Sequence, residues 1–137
     1  MRLLILEKQQ NTVAAACSTR GTCDTLEFLR QAPPNMATHA KGMRAFFVRY
    51  AQGGRAALTT EMFHEANKKE GIWEFRKGRL RIFCFMDGGR LVIATHGAIK
   101  KTQKADPQEI ARAIEIKQRY FMAKVNGHVA IEEECAP

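Results

Sequence analysis

Five cationic side chains fall at spacings that can gather them on one surface. Arg76, Arg79 and Arg81 flank a Lys77-Gly78 turn, and Lys100-Lys101 follow the next strand-like run. Cations brought together in this way neutralise phosphate oxygens, and an arginine can grip a phosphate through two parallel hydrogen bonds. Two titratable groups lie nearest to them in the pattern. Glu74 can accept a proton, His96 closes the strand-like run, and Lys100 is a competing base. Metal chemistry is not expected, because Cys17 and Cys23 have five residues between them and no Cys or His pair elsewhere completes a ligand set. The four cysteines, Cys17, Cys23, Cys84 and Cys135, read as reduced thiols, with Cys84 packed in a strand.

These residues depend on the elements that hold them. After Gly71 the hydrophobic period is two: Trp73 and Phe75 face one way, Glu74 and Arg76 the other. In residues 79–86, Leu80, Ile82, Cys84 and Met86 share a face, opposite Arg79, Arg81, Phe83 and Phe85. Asp87-Gly88-Gly89 supplies a hairpin turn, and 90–96 returns as a third antiparallel strand. With a two-residue loop at Asp87-Gly88 or Gly88-Gly89, Arg81 faces Ala94 or His96, and Leu91 and Ile93 join the apolar face. Gly97 ends the meander.

Upstream, residues 1–8 read as a short strand and 9–22 as a weakly structured connection. Asp24 or Thr25 caps a first helix, which the Pro33-Pro34 pair stops. A second helix runs from about Asn35 to Gln52, with Met36, Ala40, Met43, Phe46, Phe47 and Tyr50 on one stripe. The two form a hairpin over the sheet. Residues 55–71 are a connection. Asp106-Pro107-Gln108-Glu109 announces a last helix, with Ile110, Ala113, Ile114 and Phe121 as its buried stripe, and 122–137 is a tail.

A chain of 137 residues, 45% hydrophobic and 26% charged, suits one domain with one core. No apolar run approaches the ~18 residues of a membrane span, and Glu7 and Lys8 interrupt the opening run too early for a secretory signal. The expectation is a cytoplasmic protein without membrane contact. The net charge is +8, and fourteen of the 22 Lys and Arg lie in residues 68–124 against six acids. Such an excess favours a polyanionic partner, because neutralising phosphates releases counterions. An acidic protein would satisfy the same field.

Residues 72–76 (IWEFR), then Arg81-Ile82-Phe83, the Asp87-Gly88-Gly89 hairpin, and residues 96–104 (HGAIKKTQK) resemble, in order and spacing, the phage-derived, HigB-like branch of the RelE/ParE toxin superfamily. The likeness spans roughly residues 24–122 and is strongest over 71–107. Ala98 stands where that family often has Phe, and residues 1–23 and 122–137 match poorly. The resemblance implies one domain over 1–137, with a core at 24–122 and peripheral ends at 1–23 and 123–137. Its fold class would be α+β: an N-terminal helical hairpin packed on a small antiparallel sheet, with a C-terminal helix.

It also implies the toxin of a type II toxin–antitoxin pair, an endoribonuclease that cuts mRNA, commonly on the ribosome, until a small helix-turn-helix antitoxin neutralises it. Metal-independent RNA cleavage needs the 2′-hydroxyl deprotonated, the pentavalent phosphate stabilised and the 5′-oxygen protonated. Arg76, Arg81, Lys100 and Lys101 would clamp the phosphate, Glu74 and His96 are the acid–base candidates, and Arg79, Lys104 and Tyr120 would contact RNA, Tyr120 by stacking a base. No cofactor is implied. His39, His64 and His128 have no motif around them. The rivals are a ParE-like inhibitor of DNA gyrase and a non-catalytic basic module that binds nucleic acid or an acidic protein.

Overall fold

A computed structural model describes residues 1–102 and 106–134. It contains seven strands, β1 (Arg2–Lys8), β2 (Thr12–Ala16), β3 (Phe63–Asn67), β4 (Ile72–Lys77), β5 (Leu80–Asp87), β6 (Leu91–Ile99) and β7 (Ala130–Glu133). Three α-helices accompany them, α1 (Asp24–Arg30), α2 (Ala37–Gly53) and α3 (Pro107–Val125). The strands form one mixed sheet in the order β3-β4-β5-β6-β2-β1-β7, in which β2–β6 and β1–β7 are parallel pairs and the rest antiparallel. The expected helical hairpin at the N-terminus of a small antiparallel sheet is therefore corrected: strands open the chain and the sheet is larger and mixed.

Both faces are covered. On one, Leu26 and Leu29 of α1 and Met43, Phe46, Phe47 and Tyr50 of α2 pack on Phe75, Ile82, Cys84, Val92 and Ala94. On the other, Ile110, Ala113 and Tyr120 of α3 pack on Leu3, Ile72, Phe83, Phe85 and Ile93. Burial on both sides explains β2. Its Val13-Ala14-Ala15-Ala16 run is buried throughout because it lies between β1 and β6 with helices above and below. Alanine has little strand preference of its own, so this central strand reads as a connection until its neighbours are known. β3 likewise lies within the stretch 55–71. β7 lies within the expected tail and is held by pairing to β1.

The helix boundaries follow local rules where the caps are strong. Asp106 caps α3, its side chain accepting from the Gln108 N–H at 2.9 Å, and Pro107 takes the first turn. Cys23, not Asp24 or Thr25, occupies the N-cap of α1. Asp24 instead receives Arg112 of α3 at 2.6 Å.

The β5–β6 connection reverses one expected face. Asp87 pairs with Leu91, leaving a three-residue loop, so Val92 and Ala94 join Cys84 and Met86 while Leu91 and Ile93 turn toward α3. A bulge then skips Thr95 and pairs Phe83 with His96, which restores His96 to the face of Arg81. Arg81 faces Ala98, neither Ala94 nor His96.

Gly97 does not end β6, which continues to Ile99. It is the seat of α1: a Cβ built there would lie 2.2 Å from the Phe28 ring. Gly97→Ala should therefore lose ~1–3 kcal/mol of unfolding free energy by overpacking, read as a lower denaturation midpoint with an unchanged slope. A midpoint equal to that of the wild type would show that Phe28 has room to move.

Candidate functional site

Register brings the cations together. β4 and β5 place Arg76 directly opposite Arg81 on the α3 face, and the turn between them carries Arg79. Gly78 makes that turn tight, with φ +57° and the His39 ring where a Cβ would stand 2.4 Å away. Lys100 and Lys101 arrive from the end of β6, tied to the turn by Lys100 N–H to the Arg79 carbonyl at 2.7 Å and Arg79 Nε to the Lys100 carbonyl at 3.1 Å. Arg76, Arg79, Arg81, Lys100, Lys101 and Thr102 line an open cleft of about 310 Å³.

No carboxylate is among the lining residues. Arg81, only 6% exposed, forms the floor and is fixed in orientation, its Nη1 donating to the carbonyls of Gly78 at 2.7 Å and Leu80 at 2.9 Å. Burial, with Arg76 beside it, lowers the Arg81 pKa from its ordinary value, while Glu74 opposes the shift. The Nε atoms of Arg76 and Arg81 are both buried and without a hydrogen-bond partner. A nearly buried guanidinium left with an unpaired donor, as Arg81 is, stays incompletely compensated by its surroundings.

Glu74 lies one row along the sheet. The row His64–Glu74–Phe83–His96 crosses β3, β4, β5 and β6 on the α3 face. Glu74 is buried and pairs with His64, Oε1 to Nε2 at 2.7 Å. The other His64 nitrogen, Nδ1, lies 3.0 Å from the Thr60 carbonyl and 3.4 Å from Arg76 Nη1. Nothing in the sequence around His64 marks it for a part in this site. Counting outward from the Lys68-Lys69-Glu70-Gly71 turn would set Glu65 opposite Glu74 and His64 opposite Phe75; a bulge between Glu65 and Asn67 shifts the register by one and brings His64 to Glu74.

His96 and Tyr120 do not reach the cleft. His96 is 1% exposed, stacked on Phe83 with ring centroids 5.1 Å apart. Its Nε2 meets Glu109 at 3.0 Å and its Nδ1 meets Thr95 Oγ1 at 2.9 Å. Glu109 thus grips a strand instead of reaching back to its own N-cap. Tyr120 is buried against Phe85 and donates to Asp87 at 2.6 Å, a bond and burial that push its pKa up. It anchors α3 to the β5–β6 turn and stacks on no open surface. Lys104 and Cys135 lie outside the described residues.

Among the described residues no group of three or more His, Cys, Asp or Glu is arranged to hold a metal. None of their helices is long and apolar enough to cross a membrane.

The family described as Phage derived protein Gp49-like (DUF891) matches residues 27–118, more than half of the chain and inclusive of every cleft residue. The chain belongs to this family, a RelE-like family of toxin–antitoxin toxins. No curated protein matches the sequence significantly.

The buried imidazole gives the fold a pH dependence. Burial, with Arg112 nearby, lowers the His96 pKa to about 4, so between pH 6.5 and 4 the unfolded chain binds the proton and the folded one does not. Stability is full above pH 6.5 and is lost on acidification, by as much as ~3 kcal/mol for this group. Glu109, whose pKa burial raises, offsets part of the loss near its own titration. Denaturation midpoints at pH 7 and pH 4.5 should converge in His96→Gln. Equal pH sensitivity in variant and wild type would remove His96 as the cause.

Proposed function

We propose that this chain is the toxin of a type II pair, within the HigB-like branch, and acts as a metal-independent endoribonuclease on mRNA, engaged on the ribosome. The observation that carries the reading is the carboxylate-free cleft, in which five cations converge, one of them the nearly buried Arg81. A phosphodiester supplies what such a cleft lacks, and the same cations stabilise the added charge of a pentavalent phosphate.

In this reading Arg76, Arg79, Lys100 and Lys101 hold the phosphate over Arg81. The ribose 2′-oxygen attacks phosphorus, and its proton passes to the Glu74 carboxylate. The bond from phosphorus to the 5′-oxygen breaks, and the His64 imidazolium gives that oxygen its proton. The products are a 2′,3′-cyclic phosphate and a free 5′-hydroxyl. Glu74 and His64 pair with each other beside the cleft, outside its lining residues, and the 3.4 Å approach of Arg76 Nη1 to His64 is the link that supports assigning them to proton transfer. His96 and Tyr120 have no part in the step. A cognate antitoxin is the protein partner that the family implies.

Induction of the protein alone in bacteria should arrest growth and create new transcript 5′ ends bearing hydroxyl groups. Arg76→Ala should reduce cleavage of purified RNA by about 10²-fold or more, and Glu74→Gln and His64→Gln by about 10²–10⁴-fold with RNA affinity kept. Growth arrest without new 5′ ends would refute the nuclease reading, and inhibited DNA supercoiling in that case would favour gyrase as the target.

A further inference from the structure

We propose that Cys17 and Cys23 form an oxidation site, closing an intramolecular disulfide that clasps the end of β2 to the start of α1. The two residues face each other across an isolated antiparallel bridge. The intervening loop is drawn tight by Ser18 N–H to the Thr22 carbonyl at 2.7 Å and by a 2.7 Å bond between their hydroxyls. The Cys17 N–H turns away to the Arg2 carbonyl, and the Cys23 carbonyl turns away to the Glu27 N–H. Their bridge is therefore the non-hydrogen-bonded kind, in which opposed Cα atoms sit about 4.5 Å apart and side chains approach most closely. That spacing lies within the Cα range of disulfides, roughly 4.4–6.8 Å. The thiols are near enough to interact with one another, and both are free.

Chemistry orders the steps. Burial pushes the Cys23 thiol up to about 11, whereas Cys17 is half-buried and has Arg2 beside it opposing the same effect. Cys17 is thus the thiol that meets an oxidant first. With hydrogen peroxide, the Cys17 thiolate attacks one oxygen and expels hydroxide, leaving a sulfenic acid. The Cys23 sulfur then attacks the Cys17 sulfur, forming the S–S bond and releasing water, the Cys23 proton leaving with it. Cys84, fully buried in β5, stays reduced. The clasp would lock the entry to α1, the helix whose Asp24 holds Arg112 and whose Phe28 fills the Gly97 notch.

After treatment with peroxide at pH 8, alkylation of the remaining thiols and trypsin digestion without reductant, cleavage after Arg20 should leave peptides 9–20 and 21–30 joined, 2 mass units below their sum. The oxidised protein should melt roughly 5–10 °C higher than the reduced, and the gain should vanish in Cys17→Ser. Recovery of both peptides fully alkylated, or joined instead to a peptide bearing Cys84 or Cys135, would overturn the proposal.

Discussion

Like charges set directly opposite on neighbouring strands repel, and Arg76 facing Arg81 is such a pair, with one member buried. The structure around it restrains that repulsion. The Gly78 turn presents carbonyls to Arg81, Glu74 stands one row away, and the Arg79–Lys100 link fixes the lysines at the rim. Each restraint positions a cation without neutralising it by direct pairing. The sheet therefore concentrates positive charge that its own carboxylates leave uncompensated, and this is the property on which a phosphate-directed reading rests.

Two layers of helix make that concentration possible. The α1–α2 side carries most of the aromatic packing, including Phe47 edge-on to Phe75 and Phe63 stacked on Trp73. The α3 side buries Phe83 and Phe85 but leaves the β4–β5 end open. His96 with Glu109, and Tyr120 with Asp87, pin α3 to the sheet at points along its length. Both residues read from the sequence as chemistry, and both serve attachment.

What could be read in advance was local. The alternation in β4 and β5 fixes which side chains share a face within each strand, so the Arg76–Arg81 neighbourhood was legible, as was the cap of α3. Whatever depended on a loop length or a distant partner was not. One extra residue in the β5–β6 loop inverted the faces of Leu91 to Ala94, and one bulge inverted them back at His96. The Ala-rich β2 gains its identity from β1 and β6, and β7 from β1, so neither carries a strong signal of its own. His64 was hidden for the same reason, since its importance comes from facing Glu74 across a hairpin that composition alone did not reveal.

The parallel pairing of β2 with β6 joins segments about eighty residues apart, Thr12 to Leu91 through Ala15 to Ala94. A pairing so remote along the chain carries a large loop-closure entropy before any contact rewards it, and sheets built this way acquire their order late and slowly. A ribosome must therefore deliver nearly the whole of β6 before the central strand, already paired with β1, has its second neighbour. The β4–β5–β6 meander, with the lysines tied to its own turn, is local along the chain and needs no such closure, so the basic rim can take shape ahead of the central strand's docking.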